Sequence, residues 1–365
     1  MNGCERTREL LIMHYQAYPK LQIQDIFKFL YQSAFGCEHL VSSCETVTEY
    51  IQKEYDTITL NHVITAESVN GTGDSVTVEP LDGGYCRVPL FCLSQGLTAN
   101  TLGRLFYLSS KKEKNGLSNL LEKLRIAQAL VLENILPFSP VEFEKAVHDW
   151  EHNGYPAIHH SDIFRKTYNP SYRVISTAYL PFLPFLTELD RRLAKSPVKL
   201  AIEGGSASGK TTLSKLLADL YDCMVFHMDD FFLRPEQRTP DRYAEIGGNV
   251  DRERFLTEVL QPLSRNETIY YQRFDCSSMT LETAVPLVPK HLTVIEGAYA
   301  MHPELVTGYN FTIYLDISPE LQKKRILRRN SAQMAERFFN EWIPLEQKYF
   351  SATAIKERCD LVIPI

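Results

Sequence analysis

Residues 201–217 read AIEGGSASGKTTLSKLL, and within them Gly204, Gly209, Lys210 and Thr211 satisfy the spacing G-x-x-x-x-G-K-[ST]. That spacing has a chemical meaning. Glycines let main-chain N–H groups approach an anion closely, a following helix turns its positive dipole end to the same point, a lysine adds a mobile cation, and a hydroxyl adds a hard oxygen ligand. The stretch lies between an apolar run, KLAIE, and an amphipathic one, KTTLSKLLADL, which predicts a strand-to-helix turn. Gly204, Gly205, Ser206, Ala207, Ser208, Gly209, Lys210, Thr211 and Thr212 are therefore expected to hold a nucleotide's phosphates, with the Thr211 hydroxyl on Mg²⁺.

Three further groups could complete such a site. Asp229 and Asp230 close the run CMVFHMDD, at what would be the carboxyl edge of a sheet, where ligands bind in open α/β folds. A carboxylate there can take a proton from an attacking hydroxyl or help hold Mg²⁺. Glu296 ends the apolar run LTVIE in the position expected of an acid that orders the Mg²⁺ shell. The basic stretch LQKKRILRRN, judged on charge alone, is a solvated helix face as readily as a phosphate contact.

Taken together, GGSASGKTT, HMDDFFLR, GGNVDRERF, QRFDC, TVIEGAY, YLDISPELQKKRILRRN and CDLVIPI resemble, in order and approximate spacing, the uridine kinase and phosphoribulokinase superfamily of P-loop kinases. The resemblance spans residues 198–365 and is nearest to a bacterial uridine kinase-like group. It implies that Asp229 is the catalytic base beside Lys210, that Asp251 grips a nucleoside ribose, and that Asp275 lies in the segment contacting base and sugar. Asp230 and Arg337 join them as substrate-binding residues. Glu296 matches the Mg²⁺-associated acid, and Arg325 and Arg328 match the phosphate-binding arginines of a lid, with Arg329 a further candidate. Two departures fall on the acceptor side: Phe274 stands where the family has tyrosine, and GGNVDRERF replaces the family's NFDHPxAF run.

The resemblance thus implies an ATP-dependent transfer, with GTP as the other donor, to a hydroxyl of a uridine- or cytidine-like nucleoside. Another small alcohol, a sugar phosphate or a pantothenate-like compound, is the alternative acceptor. A nucleotide-gated regulator with its output in the N-terminal half is the alternative from another class.

The elements that must position these residues are legible in outline. From residue 198 onward, apolar runs at 223–229, 291–297, 311–317 and 359–365 alternate with helical patterns, which predicts an α/β, P-loop NTPase-type parallel sheet with helices on both faces. Pro197 stops the helical pattern of 179–197, so the domains are expected at 1–195 and 198–365. The N-terminal domain is expected to be α+β or mainly helical: 23–35 and 117–136 carry helical stripes, while 62–90 reads as strands and tight turns.

In that half, 154–175 gathers His159, His160, Asp162, Arg165, Tyr168, Tyr172 and Arg173, either a second site or a satisfied polar network. Cys37, Glu38 and His39 form a weaker metal candidate.

The chain has 365 residues, 44% of them hydrophobic, with net charge −6, which disfavours nucleic acid or an acidic membrane as the main partner. No signal peptide or long apolar span is apparent, and the eight cysteines lack CxxC spacing, so a cytoplasmic protein with reduced thiols is expected; its oligomeric state is open, a homo-oligomer included.

Overall fold

The computed structural model describes residues 3–37, 43–64, 78–111 and 116–365. The chain divides into two compact units, Met1–Leu183 and Pro184–Ile365.

The first unit runs α1 Gly3–Ala17, α2 Ile23–Phe35, α3 Cys44–Ile64, β1 Glu79–Pro80, β2 Tyr85–Pro89, α4 Ala99–Ser110, α5 Gly116–Leu132, α6 Pro140–His152, α7 Asp162–Tyr168 and β3 Tyr172–Ser176. Its small antiparallel sheet has the order β1-β2-β3. The stripe expected on α2 is its core face: Ile26, Phe27 and Leu30 are buried, and Phe27 stacks on Trp150 with ring centroids 4.7 Å apart. Of the strands and tight turns expected over 62–90, the described residues show strands at 79–80 and 85–89, while 62–64 are the end of α3 and 65–77 lie outside the described residues. The β-branched residues Val63 and Ile64 continue a helix already started, so their strand propensity is overridden.

The second unit opens with α8 Leu183–Leu193, which ends before Pro197, and continues with β4 Val198–Gly204, α9 Lys210–Leu220, β5 Cys223–His227, α10 Pro240–Ala244, α11 Arg252–Phe255 and α12 Gln261–Ser264. Short strands β6 Ile269–Tyr271, β7 Phe274–Asp275, β8 Thr280–Leu281 and β9 Val285–Leu287 form two hairpin-like pairs, β6 with β9 and β7 with β8. There follow β10 Leu292–Glu296, β11 Phe311–Asp316, α13 Pro319–Arg329, α14 Ala332–Arg337, α15 Ile343–Thr353, α16 Ile355–Arg358 and β12 Leu361–Pro364.

The main sheet has the order β12-β11-β4-β10-β5, and every neighbouring pair is parallel. All four apolar runs named from the sequence supply a strand to it. β10 is buried at every position, as a strand with both faces covered must be. Phe226, Phe231, Phe255, Ile295 and Tyr349 share one core beneath its carboxyl edge. Glu296 is in register with Ile202 on one side and His227 on the other, so the loop after β4 and the acids after β5 and β10 emerge at the same edge.

Candidate functional site

The glycine-rich turn is built where the sequence puts it, between the end of β4 and the start of α9. Gly204 and Gly209 have φ of +145° and +107°, a region L side chains rarely adopt. A Cβ on Gly204 would lie 2.7 Å from the Leu315 carbonyl oxygen, so the loop enters pressed against β11. Lys210 folds back, its ammonium donating to the carbonyls of Gly204 at 2.7 Å and Gly205 at 3.0 Å. The Ser208 hydroxyl is buried without a hydrogen-bond partner among the described residues, and Thr212 is exposed on the first turn of α9. Positive-φ glycines, a helix N-terminus, a lysine on weak acceptors and an unsatisfied hydroxyl fit an anion of phosphate size.

The acids converge on the same point. The Thr211 hydroxyl donates to Glu296 Oε1 at 3.0 Å, and His227 Nδ1 lies 2.6 Å from that same oxygen. The hydrogen bond to Glu296 raises the pKa of His227. A hydroxyl and a carboxylate side by side are hard oxygen ligands suited to Mg²⁺, which takes few protein ligands and completes its shell with water and phosphate. Among the described residues no group of three or more His, Cys, Asp or Glu is placed to hold a metal ion.

Asp229 sits in the turn after β5. Its side chain reaches solvent, yet enough of the protein surrounds the carboxyl that lost hydration pushes its pKa up; Glu296 and Asp230 add to this, and Lys210 opposes it.

The acceptor-side acids are more firmly engaged. Asp230 is buried and accepts from Arg273 Nε at 3.2 Å and the Tyr271 hydroxyl at 3.3 Å. Asp251 caps α11, accepting the Arg254 N–H at 3.2 Å and Gln237 Nε2 at 3.0 Å, with Arg234 3.9 Å away. Asp275 is held within its own turn by Ser277 and Ser278, whose hydrogen bonds hold its carboxyl down at about 2.

Of the arginines, Arg325 alone among those named reaches the loop, donating to the carbonyls of Ala207 at 3.0 Å and Ser208 at 3.2 Å. Arg328 is exposed on α13, Arg329 at the end of α13 lies over the ring of Phe338, which follows α14, and Arg337 pairs with Glu341.

Sequence reasoning missed the two residues that close over the start of the loop. Gln322 of α13 donates to the Ser206 carbonyl at 2.9 Å, and Glu346 of α15 accepts from the Ser206 N–H at 2.9 Å and hydroxyl at 2.5 Å. These contacts span 116 and 140 positions and leave no local signal.

The N-terminal candidates resolve into a polar network. His160 Nδ1–H donates to Asp25 at 2.9 Å and its Nε2 accepts the Tyr172 hydroxyl at 2.6 Å; burial holds its pKa down at about 4 and the ring neutral. Arg173 pairs with Glu54, Arg165 with Asp162, and the Tyr168 hydroxyl accepts the Lys20 N–H. His159 is exposed. The Cys37 thiol is buried and donates to the Phe106 carbonyl, while Glu38 and His39 lie outside the described residues.

A parallel sheet with this loop, and with acids at the same carboxyl edge, is the fold of a P-loop kinase. No protein-family model matches the chain. It is 24% identical over 188 residues to a uridine kinase of Geobacillus kaustophilus, covering 47% of this chain and 88% of that enzyme. It is 26% identical over 189 residues to a uridine kinase of Bacillus cereus, covering 46% and 85%. A solved structure described as a possible uridine kinase from Bacillus stearothermophilus covers 48% of this chain and 99% of its own, at 23% identity and TM-score 0.38. The chain thus contains a uridine kinase-like P-loop kinase segment, about half its length. Among the described residues no helix is long and apolar enough to cross a membrane.

Proposed function

We propose that the chain transfers the γ-phosphoryl group of ATP, with Mg²⁺, to a hydroxyl of a nucleoside-like small molecule. The observation that carries this reading is the meeting of Lys210, the Thr211–Glu296 pair and Asp229 at one sheet edge. In this account the loop N–H groups and the α9 N-terminus bind the phosphates, and Lys210 exchanges two carbonyl acceptors for a charged one, a stronger partner. Thr211 and Glu296 hold Mg²⁺, whose charge offsets that of the phosphates. Arg325, held on the loop carbonyls of Ala207 and Ser208, is the arginine that would offset charge on the transferring group. Asp229 accepts the proton of the attacking hydroxyl, a role favoured by its raised pKa and by its freedom from a side-chain hydrogen bond among the described residues.

Asp230 and Asp251, each already tied to arginines, order the acceptor side rather than carry chemistry. Arg273 on Asp230 and Arg234 beside Asp251 also support a second reading, an acceptor alcohol bearing its own anionic group, such as a sugar phosphate.

Lys210→Ala tests the phosphate site. Transfer is expected to fall at least ~100-fold with the fold retained, read by product formation and circular dichroism; retained turnover in a folded variant would sink the assignment.

A further inference from the structure

Glu346 has no part in the mechanism above, yet it occupies the loop on which that mechanism depends. Its carboxylate is 5% exposed and accepts both the main-chain N–H and the hydroxyl of Ser206. An anion therefore already sits on one of the donors that a phosphate would use.

The surroundings fix it there. A Cβ on Gly205 would lie 3.0 Å from Gln322 Nε2 and 3.6 Å from Glu346 Oε2, so side chains of α13 and α15 roof the start of the loop. Three residues further along α15, the Tyr349 hydroxyl donates to the buried Glu203 at 3.2 Å, anchoring the helix from below.

The carboxylate also lies at a definable end of the loop. Burial raises the pKa of Glu346, Lys210 and the two Ser206 donors oppose this and Asp229 adds to it, so the carboxyl interacts with the two groups that meet at the transfer point. Its hydrogen bonds go to Ser206 and not to Gly209, Lys210 or Thr211 at the start of α9, where the inner phosphates would lie. A terminal phosphate at the Ser206 end must share a donor with a like charge or expel it.

We propose that Glu346 is a specificity-determining residue: by competing for the Ser206 N–H it weakens binding of the terminal phosphate and so sets the ratio of nucleoside triphosphate to diphosphate affinity. The inference rests on the kinase reading for its biological meaning, but its test does not require turnover. In this proposal Glu346 occupies the Ser206 donors, yields to a triphosphate, and returns when a diphosphate is left behind, which favours product release.

The experiment is calorimetric titration of the full chain with Mg²⁺ and either ATP, ADP, inorganic tripolyphosphate or pyrophosphate, without acceptor, for wild type, Glu346→Gln and Glu346→Ala. Removing the charge is expected to tighten ATP and tripolyphosphate about tenfold, the worth of one hydrogen bond to a charged group, and to change ADP and pyrophosphate less than about twofold. Glu346→Ala moves the same way, which separates competition from a role in holding the loop, since a purely structural residue would weaken every ligand. Unchanged or weaker ATP binding, equal tightening of ADP, or variants that bind no polyphosphate overturn the proposal. If ATP and tripolyphosphate bind as expected but no hydroxyl is ever phosphorylated, the kinase reading fails and this one stands. Acceptor-dependent turnover with ATP affinity unmoved by Glu346→Gln is the converse.

Discussion

Glu203 ends an apolar strand run one residue before the phosphate loop, is fully buried, and accepts the Gly204 and Met301 N–H groups, each at 3.0 Å, together with the Tyr349 hydroxyl. Burial is the largest influence and pushes its pKa up from 4.5 to about 7, against the lowering effect of its donors and Lys210. The folded chain then holds this proton more firmly than the unfolded one. The group's favourable contribution is complete below pH 4.5 and is lost as pH rises towards 7. Glu203→Gln, neutral at every pH, should gain melting temperature on the wild type across that window and hold a constant lead above it. A difference that does not vary with pH contradicts this assignment of the titration.

The same scale shows what a sequence can disclose. Gly204, Gly209, Lys210 and Thr211 were legible because the backbone geometry and the chemistry both constrain residue type at fixed spacing. Glu346 and Gln322 were not, because each meets the loop only through the tertiary fold. Arg325 and Arg328 look alike in KKRILRR, yet i and i+3 on α13 lead to different ends, one to the loop carbonyls and the other to solvent.

At the scale of elements, the parallel sheet was readable because strands covered on both faces leave unbroken apolar runs, as in LTVIE and FTIYLD. Their order was not, since pairing β4 with both β10 and β11 is decided by helices packing on either face. In the first unit the stripe of α2 was equally plain, whereas α3 ran through a β-branched segment that local propensity assigns to a strand. The join between β4 and β11 is the element contact on which the loop depends. Gly204→Ala would force a side chain into a φ of +145° and to 2.7 Å from the Leu315 carbonyl. A loss of about 2 kcal/mol is expected, measured by denaturant unfolding; an unchanged midpoint would show that the strand edge can yield.

At the scale of the whole molecule, the chain joins a P-loop kinase segment to a first unit whose polar residues are paired with one another. The paired histidines of 154–175 suggested ligands by type, but composition cannot show that His160 has its two nitrogens committed to Asp25 and Tyr172. The central claim concerns the other unit: that Asp229 passes a proton from an acceptor hydroxyl while the loop presents a phosphate. It is tested most directly by ATP consumption and product formation in the full chain with Mg²⁺, against a panel of nucleosides, sugar phosphates and simple alcohols, for wild type and Asp229→Asn. The account expects ATP use that depends on one acceptor class, yields its phosphorylated product, and falls at least ~100-fold in Asp229→Asn with ATP binding preserved. ATP bound but used without regard to any acceptor, at equal rates in both proteins, would contradict it.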